Sequence, residues 1–84
     1  MSALNDLTEL TARQGALLTI TYDACADCDT LHSRVEIQLP DGYSWDSPLS
    51  GPFSGIGVNS ECGQNWSDLY AEMYQVIDHA VIRD

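Results

Sequence analysis

The stretch ALLTITYDACADCDTLHSRVEIQL, residues 16–39, decides the fold. In its first part Leu18, Ile20 and Tyr22 alternate with Thr19 and Thr21; in its last part Val35, Ile37 and Leu39 alternate with Arg34, Glu36 and Gln38. Alternation with a period of two, in segments rich in β-branched and aromatic residues, marks strands with one buried and one wet face. The pattern predicts an antiparallel pair over 16–22 and 32–39, joined by a long hairpin loop, DACADCDTL, from Asp23 to Leu31. Pro40-Asp41-Gly42 is a turn signal that closes the second strand.

Outside this pair the period changes. Leu4, Leu7 and Leu10 recur every third residue, predicting a short helix over Ser2 to Gln14 that Gly15 ends. At the other end Trp66, Leu69, Tyr70, Met73, Val76, Ile77, Ala80 and Val81 share one helical face, with Asn65 as N-cap, Asp68 in the first turn and Arg83 in the last. Between them, Asp41 to Gly57 (DGYSWDSPLSGPFSGIG) is rich in glycine, serine and proline, and reads as a structured loop anchored by Tyr43, Trp45 and Phe53. A third short strand over Phe53 to Val58 fits the pattern, weakened by its glycines. The expected fold is α+β: a small antiparallel sheet with an N-terminal and a C-terminal helix packed on one face, in one domain spanning residues 1–84.

Charge narrows the class of partner. Thirteen Asp and Glu face three basic residues, Arg13, Arg34 and Arg83, with no lysine, for a formal charge of −10. Such a surface repels nucleic acid and anionic membranes, which need Lys and Arg to displace counterions. Its electrostatic complement is a basic protein surface, such as one that normally holds nucleic acid. The ordinary alternative is that acidity serves solubility alone, although a merely soluble surface generally mixes both signs. No segment has the apolar length of a membrane span, no basic leader precedes an apolar run, and three cysteines suit a secreted disulfide framework poorly. A cytoplasmic location is expected.

Cys25-Ala26-Asp27-Cys28, with His32 behind it and Cys62 farther along, carries the metal reading. Two thiolates in a turn can share a tetrahedral zinc ion, and three Cys with one His form an accepted structural set. Against this, Cys62 has no second ligand beside it in sequence, and free thiols in a hairpin loop are the plainer account. No other cofactor is expected. A thioredoxin-like role is disfavoured because the pair does not open a helix, and Asp23, Asp27 and Asp29 are expected to raise a thiol pKa rather than lower it. Neither His32 nor His79 neighbours a serine or cysteine in an elbow-like setting, and Gly55-Ile56-Gly57 lacks the remaining parts of a phosphate loop. The chain is therefore not expected to be an enzyme.

The candidate partner surface is acidic. Asp23, Asp27 and Asp29 cluster at the hairpin, Glu36 lies on the wet face of the second strand, and Asp41 and Asp46 flank the aromatic loop. Asp68 and Glu72 are neighbours on the last helix, about 6 Å apart along its axis, and Asp78 continues that face. Any single pair is most simply a solvated face. Trp45 is a candidate interface anchor, since tryptophan and tyrosine are enriched at interfaces, with a core lid as the alternative.

In size, acidity and small α+β layout the chain resembles phage-encoded anti-CRISPR proteins and related nucleic-acid mimics. The resemblance is one of composition and transfers no residue assignments. It implies an inhibitor in the host-cell cytoplasm that occupies the basic nucleic-acid-binding surface of a bacterial defence complex by charge mimicry. Two other readings fit the same residues: an immunity or antitoxin protein neutralising a basic nuclease toxin, and a zinc-stapled protein-interaction module.

Overall fold

The computed structural model describes residues 2–47 and 50–84. The order of elements is α1 (Ala3–Gln14), β1 (Leu17–Ala24), β2 (Leu31–Gln38), β3 (Ser44–Ser47), β4 (Ser50–Phe53), β5 (Gly55–Asn59), α2 (Trp66–Asp78) and β6 (Val81–Arg83). The fold is α+β, with two helices and two three-stranded antiparallel sheets, ordered β1-β2-β5 and β4-β3-β6.

The first sheet follows from the alternation. β1 and β2 pair with Ile20 opposite Val35 and Leu18 opposite Ile37, so apolar residues meet on one face. β5 adds to the other side of β2, with Val58 opposite Val35 and Ile56 opposite Ile37. Val35 and Ile37 are fully buried, whereas Glu36 and Gln38 face water. The hairpin strands run closer to its tip than the sequence pattern marks, leaving six residues, 25–30, as the loop.

Both helices sit on the apolar face and pack on each other. The Ser2 hydroxyl accepts from the Asn5 amide at 3.0 Å, and Gly15, at φ 71°, returns its amide to the Ala12 carbonyl. Each contact satisfies a backbone group that a helix end leaves open. Leu7 and Leu10 meet Leu69, Tyr70, Met73 and Ile77 in the core. Leu4 is partly buried, and Val76 keeps 41% of its surface exposed, so the apolar stripe of α2 is narrower than its sequence suggests.

Two expectations are corrected here. The helical pattern at the C-terminus stops at Asp78, and Val81–Arg83 forms β6, so Arg83 belongs to a strand and not to a last helical turn. The pairing of Ile82 with Trp45 and of Val81 with Asp46 supplies backbone partners that outweigh one more turn of helix. The region expected as an aromatic loop holds β3, β4 and the start of β5; residues 48 and 49 of that region lie outside the described residues.

Trp45 is a further correction: it is wholly buried, and so presents no surface to a partner. Its ring packs on Phe53 with centroids 5.4 Å apart, and its indole N–H donates to the Gln14 side-chain oxygen at 3.2 Å. The Gln14 amide in turn donates to the Ile77 carbonyl at 3.2 Å, one of the carbonyls left open at the end of α2. One side chain thus ties the ends of both helices to the second sheet.

Candidate metal centre

Two turns build the site. At the hairpin tip the Cys25 amide donates to the Thr30 carbonyl at 2.8 Å, and the Asp29 amide donates back to the Cys25 carbonyl at 3.0 Å. Asp29 takes a left-handed conformation, φ 53°, which Asp tolerates better than most residues. The tip therefore folds back on itself and brings Cys25 and Cys28 to one side. The second turn is Glu61-Cys62-Gly63-Gln64, closed by the Gln64 amide on the Glu61 carbonyl at 3.0 Å. The Gln64 side chain accepts from the Glu61 amide at 2.9 Å, and Gly63, at φ 79°, fills the third position, where a type II turn needs positive φ. Cys62 sits at its apex.

The register of β2 against β5 brings the two turns together. Beyond the paired Arg34 and Asn59, the Ser60 amide donates to the Ser33 carbonyl at 2.8 Å, and the Ser33 amide donates to the Ser60 hydroxyl at 3.0 Å. His32 is one residue further along β2, and Cys62 two residues beyond Ser60.

The ligand atoms of Cys25, Cys28, His32 and Cys62 all lie within 4.8 Å of one another, close enough to hold a metal ion. Cys25 Sγ and Cys62 Sγ are 3.8 Å apart; His32 Nε2 lies 3.1 Å from Cys28 Sγ and 3.5 Å from Cys62 Sγ. Cys28 Sγ also contacts the Thr30 hydroxyl at 3.1 Å. Cys25, Cys28 and His32 are half-buried and Cys62 is exposed. The other ring nitrogen, His32 Nδ1, hydrogen-bonds the Ser60 carbonyl. A carbonyl only accepts, so Nδ1 carries a proton, and Nε2 is the ring atom directed at the sulfurs. This is the outer contact by which ligating histidines are generally oriented.

Sharing protons within so tight a cluster moves the thiols in opposite directions. Hydrogen bonding from Cys62 first, then from Thr30 and His32, lowers the Cys28 pKa to about 6. The hydrogen bond to Cys28, with desolvation behind it, pushes Cys62 up to about 12. The Cys28 hydrogen bond raises His32 above its ordinary value. The expectation that the neighbouring aspartates raise the thiols is thus wrong for Cys28, where direct hydrogen bonds dominate.

Of the predicted acidic residues, Asp29 takes part in this centre through its backbone amide on Cys25. Asp23, Asp27, Asp29, Asp41, Asp68, Glu72 and Asp78 are exposed. Glu36 accepts from Arg34 at 2.7 Å, and the half-buried Asp46 accepts from Arg83 at 3.1 Å. Two of the three arginines are therefore engaged with carboxylates. The residues that sequence reasoning missed are Ser60 and Thr30, which contact His32 and Cys28. Only the register of β5 on β2 puts Ser60 in place, and a serine in a loop carries no signal of it.

Comparison with protein-family models, with curated proteins and with solved structures finds no match for this chain. No helix among the described residues is long and apolar enough to cross a membrane.

Proposed function

We propose that this protein is a zinc-stapled, acidic protein-interaction domain, whose metal ion is structural and whose partner presents a basic surface. The convergence of one histidine and three cysteines from two separate turns carries the reading. A tetrahedral zinc ion with Zn–S near 2.3 Å and Zn–N near 2.05 Å has S–S edges of about 3.8 Å and S–N edges of about 3.6 Å. The Cys25–Cys62 spacing of 3.8 Å and the Cys62–His32 spacing of 3.5 Å match these edges. Cys28 and His32, at 3.1 Å, are at hydrogen-bond distance and need to part by about 0.5 Å as an ion replaces the shared proton.

Four protein donors fill a tetrahedron, leaving no open position for a substrate, which is the arrangement of structural sites rather than catalytic ones. The ion would join the hairpin tip to the β5–α2 turn, a useful staple where the core is as small as 84 residues allow. Thiolate ligands of this kind persist in a reducing compartment, consistent with a cytoplasmic protein. Metal analysis of the native protein tests the reading. About one zinc per chain is expected, falling steeply in Cys28→Ser; a content below roughly a tenth of an equivalent in native preparations removes it.

The exposed carboxylates of α2 favour a second, compatible reading of the partner. Asp68 and Glu72 are exposed, and among the described residues neither is in an ion pair with a basic side chain, so their field acts outward. This supports an inhibitor that occupies a basic nucleic-acid-binding surface, of the anti-CRISPR or immunity-protein kind. In a low-salt pull-down from bacterial lysate, nucleic-acid-binding proteins are expected to be captured and to dissociate as salt rises. Retention of full binding by the double variant Asp68→Lys, Glu72→Lys would exclude α2 as the charged face.

A further inference from the structure

We propose that the centre is a redox-exchangeable staple: a hydroperoxide converts Cys25 and Cys62 into a disulfide, expelling the metal ion while the same two turns stay joined. This rests on the metal-centre reading and adds its regulation. Of the four ligands Cys62 is the exposed one, at the apex of its turn, and so meets a solvent-borne oxidant first. The Cys25 sulfur lies 3.8 Å from it. The third sulfur, on Cys28, also contacts the His32 ring and the Thr30 hydroxyl, each at 3.1 Å, which Cys25 does not.

The chemistry balances in two steps. With the ion bound, Cys62 would be held as a thiolate; it attacks hydrogen peroxide, the O–O bond breaks, an S–O bond forms, and hydroxide leaves. The Cys25 thiolate then attacks the sulfenic sulfur; an S–S bond forms, the S–O bond breaks, and a second hydroxide leaves. Each sulfur has lost one electron and the peroxide has gained two. The metal ion keeps only Cys28 and His32 as protein ligands and dissociates. Closing 3.8 Å to a bond of about 2.05 Å moves two mostly exposed turns, neither of which contributes a side chain to the core cluster. Because Cys25 belongs to the hairpin tip and Cys62 to the β5–α2 turn, the disulfide joins the segments that the ion joined. The oxidised domain therefore keeps its fold, and Cys28 is left as a free thiol beside His32.

The test uses the full chain loaded with zinc and a single equivalent of hydrogen peroxide. Zinc release is followed with a chromogenic chelator, remaining thiols by alkylation, and the cross-link by mass spectrometry of unreduced peptides. One zinc released for every two thiols lost, a Cys25–Cys62 cross-link, an alkylatable Cys28, and recovery of zinc binding after a thiol reductant are expected. Cys28→Ser should still form the cross-link, while Cys25→Ser should leave Cys62 as a sulfenic acid under one equivalent, and only a second equivalent should carry it on to the irreversible sulfinic acid. A dominant Cys25–Cys28 or Cys28–Cys62 cross-link, or zinc loss that a reductant does not reverse, overturns the proposal. If the chain takes up no zinc, the metal reading falls and the exchange with it; if it takes up zinc but the Cys25–Cys62 cross-link does not form, the exchange alone falls.

Discussion

The two ends of this molecule are held together by different physics, and each contains one of its two tryptophans. At one end Trp45 is wholly buried between Phe53 and the helix termini, and Gln14 satisfies both its indole N–H and the Ile77 carbonyl. At the other, Trp66 is half-buried and stacks on Tyr22 at 5.0 Å beside turns whose side chains are mostly exposed. The first end is closed by apolar packing, which needs no ion. At the second, two mostly exposed turns meet at Cys25, Cys28, His32 and Cys62, which lie close enough to hold a metal ion. Stability at the Trp45 end should therefore be insensitive to a chelator, whereas order at the Trp66 end should follow metal occupancy.

The largest effect that would sharpen this contrast is Trp45→Ala. It should cost about 3–5 kcal/mol, read from the urea midpoint with and without chelator, and the loss should be the same in both. A loss confined to the metal-loaded protein would break the contrast. Gln14→Ala comes next: it leaves a buried indole N–H and a helix-end carbonyl without partners, for about 1–3 kcal/mol. A Gln14→Glu variant keeps the acceptor for Trp45 and should recover part of it.

The third measurement is the pH dependence of zinc affinity. Cys62, raised to about 12, holds a proton in the metal-free cluster that must leave before it can ligate, and the raised His32 releases its own at a higher pH than an ordinary histidine. Cys28, lowered to about 6, is already a thiolate at neutral pH and competes for a proton only below that value. Binding should therefore weaken as pH falls, by about tenfold per unit for each proton released. Competition titrations with a chelator between pH 6 and 8 check the sign and slope; a flat profile would mean the thiols are not ligands. The smallest effect is expected from Arg83→Ala, which removes an exposed pair with Asp46: a loss of under about 1 kcal/mol, reduced by salt.

The hairpin, the α1 C-cap and the α2 N-cap were legible because each is written in neighbouring residues. Alternation places Val35 and Ile37 inward whatever β2 pairs with, and Gly15 and Asn65 act on the backbone within a few positions of themselves. The second sheet was not legible. Val81 and Ile82 continue the apolar spacing of α2, and only the presence of β3 across from them makes a strand the better use of their backbone. Trp45 carried the same ambiguity, since an aromatic in a glycine-rich segment reads equally as lid or anchor until its neighbours are known.

The sequence by itself determined the acidic character, the strand pair and helix starts, and the Cys25-x-x-Cys28 pair with His32, because charge, periodicity and turn spacing are local properties. The tertiary structure decided that Cys62, which has no ligand beside it in sequence, completes that set. The pairing of β2 with β5 carries the chain to Ser60, whose carbonyl fixes the His32 ring, and the Gly63 turn then lifts Cys62 to the same point. A centre whose ligands lie 37 residues apart is set by strand register, and register is a property of the folded sheet rather than of either segment alone.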